Sequence, residues 1–397
     1  MAGLCAGALL ARRGMEVTIL ERSYEDLSGR GAGIAIHREL FDVLTALNID
    51  AGNAVGVHAA GRQVFRADGE VIARLEQAQV FTSWGLVYRM LRGAFGAARY
   101  LKGKTVADIR QHGDSATVHC TDGESYAGDW VIAADGSRSA LRARLLPALQ
   151  PAYAGYVAWR GLVLEEALDG VTRTALEHRM SFVLPPGEHM LCYLVAGPGD
   201  DLRAGHRWYN WVWYRPVAAG APLVDLLTDS AGAHHPDGIP PQRIRDAHIE
   251  ALQAAAARLL PPALRAVVAA TPRPFLQSIV DAAAERLWHG RTFLVGDAAS
   301  TARPHVGLGV SKAAGDALAL SDALASPQAA QTEALTRWDA ERVSVGQAAL
   351  DWGRRLGSYI GPAPTDAARA ARARHYRDPD VVMREVACPE PERFLNP

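Results

Sequence analysis

The sequence predicts an α/β fold, α+β overall, in which a Rossmann-like domain is interrupted by a β-sheet domain. Three observations predict it. A helix–strand unit opens the chain. From Tyr153 to about Tyr214 the chain turns β-rich and aromatic. A strand–turn–helix unit then returns around Val295. That order suits one nucleotide-type domain carrying an inserted sheet, and 397 residues are enough for two domains. A net charge of -1 offers no basic surface to nucleic acid or to an anionic membrane, so a small ligand in a pocket is expected. Cys5, Cys120, Cys192 and Cys388 are widely spaced with no C-x-x-C pair, which argues for a reducing cytoplasm and against zinc or a disulfide framework. No apolar run approaches a membrane span. Arg12-Arg13-Gly14 interrupts the first helix and a strand follows, so it does not read as a signal peptide.

The elements follow in order. Residues 3–13 suit a helix and 16–21 a buried strand. The glycine-rich "LSGRGAGIAIHREL" leads into a helix at about 37–47, with Leu40, Phe41, Leu44 and Leu47 on one face. "QVFRADGEVIARL" alternates around Asp68-Gly69, a hairpin signal. A helix carrying Arg89 and Arg92 comes next, then a second hairpin around Asp122-Gly123. "WVIAADGSRSALRARLL" reads as strand, turn and helix. "YAGYVAWRGLV", "HMLCYLVAG" and "RWYNWVWYRP" read as strands. In the last, alternation puts Tyr209, Trp211 and Trp213 on one face and Asn210 and Tyr214 on the other. One of these faces is expected to roof a pocket. Residues 217–243 read as loop with some helix, 244–270 as helix, and "RTFLVGDAAS" as a strand running into a turn. A long helix is expected over about 310–325, followed by an Ala- and Arg-rich helical tail whose Arg369, Arg372 and Arg374 face solvent.

Three motifs carry chemistry. Gly3, Gly7, Gly14 and Glu21 read as the second half of a G-x-G-x-x-G turn, with Gly3 in the third glycine's place. A strand and two further glycines would precede it, so the natural start is expected upstream of Met1. A helix N-terminus there would favour a pyrophosphate, and Glu21 a ribose hydroxyl. A plain helix–strand unit is the alternative. In "GDAASTARPHVGLG", Asp297 ends a strand, where ligands of open α/β sheets sit. Pro304 fixes the loop, and Gly307 and Gly309 let a flat ring or a phosphate meet backbone N–H. In "ADGSRSALR", Asp135-Gly136 turns the strand and Ser139 caps a helix bearing Arg142, with a surface turn as the alternative.

These motifs, in this order, resemble the single-component FAD-dependent aromatic hydroxylases of the p-hydroxybenzoate hydroxylase fold. "LSGRGAGIAI", "YAGYVAWRG" and "HGRTFLVGDAASTARPH" carry the likeness. The resemblance implies an FAD-binding domain over 1–150 and 281–345, a substrate sheet over 151–280 with a contribution from 55–85, and a helical tail over 346–397. It implies FAD, with NADH or NADPH and O2 as co-substrates. Gly3, Glu21 and Arg22 would serve the AMP half of FAD. Arg30, Gly31 and Gly33 would line its loop, and Arg89 would touch it. Asp135 and Gly136 match a motif associated with FAD and nicotinamide. Gly296 and Asp297 would hold the ribityl chain. Pro304, Gly307, Leu308 and Gly309 would pass beside the isoalloxazine.

By the same resemblance a flavin C4a-hydroperoxide would hydroxylate a small electron-rich ring, a hydroxypyridine or a phenol. A base near neutral pKa would deprotonate the ring hydroxyl. His305, next to Pro304, is the first candidate and His37 a weaker one. Tyr156, Trp159, Tyr209, Trp211 and His305 are the substrate-lining candidates, with sheet packing the alternative for the aromatics. No metal is expected, because His234-His235 are adjacent on a loop. The expected partner is a small aromatic substrate, with no nucleic acid and no membrane; a homodimer is possible. Two other readings stay open. "WVWYRP" nears the W-x-W-x-I-P of flavin halogenases, with Arg215 in the isoleucine's place. A non-catalytic binding protein descended from a flavoprotein is the other.

Overall fold

The computed structural model describes residues 1–27, 33–50, 52, 55–97, 99–176, 178–236 and 238–395. Its largest feature is an eight-stranded sheet. The strand order is Ser300–Thr301, Phe275–Ala283, Ala152–Leu164, Trp208–Pro216, His189–Val195, Arg179–Val183, Gly61–Phe65 and Val71–Leu75. Neighbours run antiparallel except Arg179–Val183 with Gly61–Phe65, which are parallel. The Asp68-Gly69 hairpin therefore joins the sheet built mainly by residues 152–283.

Both faces of the sheet's central strands are buried, so these strands lack a solvent-facing side. His189–Val195 is buried at every position, and a strand covered on both faces reads as a continuous apolar run. On one face Trp159, Met190, Cys192, Tyr209, Trp211 and Trp213 pack against the helices Asp246–Leu259 and Pro262–Ala269. On the other, Tyr156, Ala158, Leu191, Tyr193, Val212 and Tyr214 meet Trp352, Leu356, Val382 and Met383.

All four come from the tail. A single helix, Gln328–Leu356, runs through the point near 345 where a separate tail was expected to begin. The helices Ala367–Tyr376 and Pro379–Glu385 then fold back, and the second of them covers the sheet face.

The N-terminal layer is built on close helix–strand contact. Ala2–Arg12 buries Leu4, Cys5 and Leu9 and packs against Gly309–Leu324. A Cβ at Gly7 would fall 2.7 Å from Ile19 Cδ1, and one at Gly3 would fall 3.3 Å from Ala134 Cβ. Small residues thus seat the helix on two short parallel ladders, Ile19–Glu21 with Tyr100–Lys102 and Val131–Ala133 with Thr292–Leu294. Among the described residues these ladders belong to separate sheets.

Candidate active site

The second sheet face, the one bearing Tyr156 and Tyr214, holds a buried cluster of tyrosines and histidines. His305 enters it from the short turn Pro304–Val306. Its ring centroid lies 4.1 Å from Tyr214, 5.4 Å from His189 and 5.8 Å from Tyr156. Its Nε2 and the Tyr156 hydroxyl share a hydrogen bond of 3.0 Å. Tyr156 in turn meets Arg303, whose guanidinium lies 5.5 Å over the ring. Asp281 holds Arg303 through Nη2 at 3.0 Å and accepts from Arg354 at 3.2 Å. On the far side, His189 Nδ1 is bonded to the Tyr359 hydroxyl.

Two imidazole nitrogens, His305 Nδ1 and His189 Nε2, are buried with no partner among the described residues. Each such atom costs about 1–3 kcal/mol unless a polar group meets it. Burial lowers the His189 pKa to about 3. Burial also lowers His305 well below its ordinary value, with His189 and Arg303 adding to the effect. Burial pushes the Tyr156, Tyr214 and Tyr359 phenols up. At neutral pH the cluster is therefore uncharged. The expectation of a base near neutral pKa is not met by His305, because burial, His189 and Arg303 all disfavour the imidazolium.

The opposite end of the same face meets the N-terminal layer. Asn210 Oδ1 accepts from Gly33 N at 2.8 Å. A Cβ at Gly33 would fall 2.6 Å from Tyr193 and 2.8 Å from Asn210, so only glycine fits. Asn210 Nδ2 is buried without a partner among the described residues. Arg30 and Gly31 lie outside the described residues. Pro304 and Leu308 flank the His305 turn, and Gly307 closes it at φ +69°, with Leu308 buried. Gly309 then starts the Gly309–Leu324 helix, which no side chain caps and beside which a Cβ would find open space. Gly136 also faces open space. Asp135 is exposed and accepts from Leu141 N at 3.3 Å. Ser139 caps the helix Ala140–Leu145 through Arg142 N, as the sequence suggested.

Gly296 donates its N–H to Asp316 at 2.9 Å. Asp316 is buried and bound by Lys312 at 3.0 Å and Arg342 at 2.8 Å. Burial alone would raise its carboxyl pKa; the two cations outweigh this and hold it low. Lys312 also donates to Gly296 O at 2.8 Å, so this network fixes the turn that presents Asp297. Asp297 reaches solvent, yet its recess is crowded enough for desolvation to raise its pKa, against the pull of Lys312. Glu21 accepts from Ser23 N at 2.8 Å, and Arg22 is exposed. Gly3 lies in the first turn of the opening helix, facing Ala134.

This donor set suits FAD. Exposed carboxylates at strand ends suit polyol hydroxyls. An uncapped helix start beside open glycines suits ring or phosphate oxygens. An orphaned amide at Asn210 would complete its bonding on a polar ring edge.

Several expected positions need correction. Trp159, Tyr209 and Trp211 do not face this site. They pack on the helical side, where Trp211 Nε1 donates to Thr271 Oγ1 at 2.9 Å. The strand period places them opposite Tyr156, Asn210 and Tyr214. Arg89 is committed to Asp200 through a charge-assisted fork. His37 is buried between Ser311 and the Cys388 carbonyl. Arg215, at the halogenase-like position, pairs with Glu188 and lies 4.7 Å over Trp213. His235 binds Asp229, and no group of metal-ligating residues occurs among those described. The sequence reading missed His189, Tyr193 and Tyr359. The alternation that separated Asn210 from Trp211 also applies to "HMLCYLVAG" and would have put His189 and Tyr193 on Tyr214's side.

Comparison with known proteins agrees with this geometry. Residues 153–281 match a family described as FAD binding domain-like and 267–353 one described as FAD binding domain. The chain is 29% identical over 360 residues to 2,6-dihydroxypyridine 3-monooxygenase of Paenarthrobacter nicotinovorans, covering 91% of this chain and 89% of that one. It is 28% identical to 3-amino-4-hydroxybenzoate 2-monooxygenase of Streptomyces cremeus, covering 96% and 91%. The solved structure of 2,6-dihydroxypyridine-3-hydroxylase from Arthrobacter nicotinovorans superposes with a TM-score of 0.85 at 28% identity, covering 93% of each chain. With open glycines at one end of a buried aromatic face and relatives of this kind along nearly its whole length, the chain is similar throughout to FAD-dependent monooxygenases and is a flavin-dependent aromatic hydroxylase.

Proposed function

We propose that the chain hydroxylates a small, electron-rich hydroxylated ring, a hydroxypyridine or a phenol, on the sheet face between His305 and Asn210. The observation that carries this reading is the pair of unpartnered imidazole nitrogens, His305 Nδ1 and His189 Nε2, buried in that face. FAD reduced by NADH or NADPH supplies activated oxygen from O2.

Gly33, Asp135, Gly136, Gly296, Asp297, Gly307 and Gly309 would hold it, with Gly3, Glu21 and Arg22 toward its adenosine end. The chain's residues do the rest. Tyr156 and Tyr214 wall the ring, and the tail helices exclude water. With the Arg303 guanidinium over its ring, Tyr156 would aim its phenolic proton at His305 Nε2. His305 then carries its proton on Nδ1. An N–H there suits a ring oxygen bearing negative charge, the electron-rich form of the substrate. His305 thus acts as a donor that steadies the ring anion rather than as the base that creates it.

Residues 1–150 and 281–345 would form the FAD domain, with 151–280 and 55–85 the substrate sheet; pairing of Gly61–Phe65 with Arg179–Val183 supports the latter. Among the described residues no helix is long and apolar enough to cross a membrane. Four buried free cysteines support a cytoplasmic location.

The test is FAD-loaded protein assayed for NAD(P)H oxidation and hydroxylated product across hydroxypyridines and phenols, with and without halide. Hydroxylation of such a ring independent of halide supports the reading. Flavin retention with no turnover of any ring favours the binding-protein alternative.

A further inference from the structure

We infer that Arg62 is a positioning residue that fastens the segment 383–388 against the His305 loop, making this strap one wall of the active site. The inference rests on the reading of that loop as flavin-facing.

Arg62 lies on the strand Gly61–Phe65 and is 1% exposed. Its Nη1 donates to Met383 O and Val386 O, each at 2.6 Å. Its Nη2 donates to Ala387 O at 2.7 Å and to Gln79 Oε1 at 2.6 Å. Gln79 Nε2 reinforces the grip by donating to Ala387 O at 3.0 Å. Burial lowers the Arg62 pKa to about 10, with only the Cys388 thiol acting the other way. A buried cation held by carbonyls alone is a costly way to stabilise a fold; an apolar side chain would serve better. What the guanidinium adds is direction, since its fork fixes where three carbonyls at the end of the Pro379–Glu385 helix and just beyond it can lie.

The strap fixed in this way touches the His305 turn at two points and His37 at a third. Ala387 N donates to His305 O at 2.8 Å. Cys388 O is bonded to His37 Nε2 at 2.9 Å. A Cβ added at Gly307 would fall 2.7 Å from Ala387 Cβ, so the two backbones are in close contact. Ala387 itself has φ +47°, a left-handed conformation that a non-glycine residue adopts only when its surroundings impose it. The other main-chain bonds of the His305 turn are local, Val306 N to Arg303 O and Gly307 N to Pro304 O. Among the described residues the strap is therefore the turn's long-range main-chain tie, beside the side-chain bonds of His305 to Tyr156 and Arg303 to Asp281. Loosening it would admit water beside the reacting ring and separate NAD(P)H consumption from hydroxylation.

Two variants test this. Arg62→Met removes the fork while keeping length. Ala387→Val places a β-branched residue in the left-handed position of the strap, where it meets Gly307. Hydrogen exchange of residues 379–388 is read in the FAD-free protein, and product formed per NAD(P)H consumed in the FAD-loaded protein. Both variants should speed strap exchange by about tenfold or more. Both should lower coupling by roughly threefold or more, with the KM for NAD(P)H little changed. Arg62→Lys, which keeps the charge but reaches fewer carbonyls, should fall between. Unchanged exchange would overturn the fastening role, and faster exchange with intact coupling would overturn the wall role. Should Arg62→Met fail to fold, Ala387→Val decides. The exchange result needs no substrate, so a wild type that hydroxylates no ring refutes the functional reading without touching the fastening.

Discussion

Removing the Tyr156 hydroxyl leaves His305 Nε2 buried without its 3.0 Å partner while Nδ1 is already unpaired. Tyr156→Phe should therefore cost about 1–3 kcal/mol of stability. It also frees the His305 tautomer, so kcat should fall by about tenfold or more, because the donor aimed at the ring oxygen is no longer fixed. Steady-state kinetics with a hydroxypyridine and a denaturant melt check both parts. An unchanged kcat would remove His305 from the chemistry. The opposite sheet face supplies the contrast. Trp211→Phe loses the 2.9 Å bond to Thr271 and some core area, for about 1 kcal/mol or a little more. It should leave the substrate KM unchanged. Which of these residues faced the ligand was half legible. The two-residue period separated Trp211 from Tyr214 correctly. It did not say which side was the pocket, because helices bury one face and the tail the other, and apolar residues fill both.

At the level of elements, what was legible was local. The Asp68-Gly69 and Asp122-Gly123 hairpins, the Ser139 cap and the Gly309–Leu324 helix all form where turn and capping chemistry placed them. Long-range commitments were not legible. Nothing in "DPDVVMREVACPE" announces that its carbonyls wrap a guanidinium more than 300 residues away in sequence. Nor does "SKAAGD" announce that Asp316 is the hub of the turn at Gly296, although its four-residue spacing from Lys312 was visible. Breaking that hub has a defined cost. Asp316→Asn leaves Lys312 and Arg342 buried without their counter-charge, a loss of about 3–5 kcal/mol. It also loosens the turn presenting Asp297, so FAD should bind several-fold more weakly even where the variant folds. Equilibrium denaturation and flavin titration measure the two effects. A variant with full stability would mean that the triad is water-filled rather than dry.

For the molecule as a whole, buried neutral histidines set the response to acid. His37 is lowered from its ordinary 6.5 to about 4 by burial, and Arg62 adds to the effect. His189 is lowered to about 3, and His305 well below its ordinary value. A depressed folded pKa means that the unfolded chain takes up the proton first. The stability these groups confer is complete above pH 6.5 and is lost as the pH falls toward their folded values. Each such histidine removes up to about 1.4 kcal/mol per pH unit in that window. Burial raises the Glu39, Glu385 and Asp297 carboxyls, so they work in the opposite sense, favouring the fold as they take up protons just above the ordinary carboxylate range, with no further change below it. Three histidines therefore dominate between pH 6.5 and about 4.5, and their combined loss is comparable to the ~5–15 kcal/mol that holds a typical domain together. Acid unfolding should accordingly begin near pH 6 and be complete before the carboxylates titrate. A denaturant midpoint measured every half unit from pH 8 to 4 should be level above 7 and fall steeply below 6. His189→Phe should flatten the slope by about one proton, since it removes one buried imidazole from the balance. A wild-type midpoint that stays level down to pH 5 would show that water reaches these rings, and with it that the face proposed to hold the substrate is not dry.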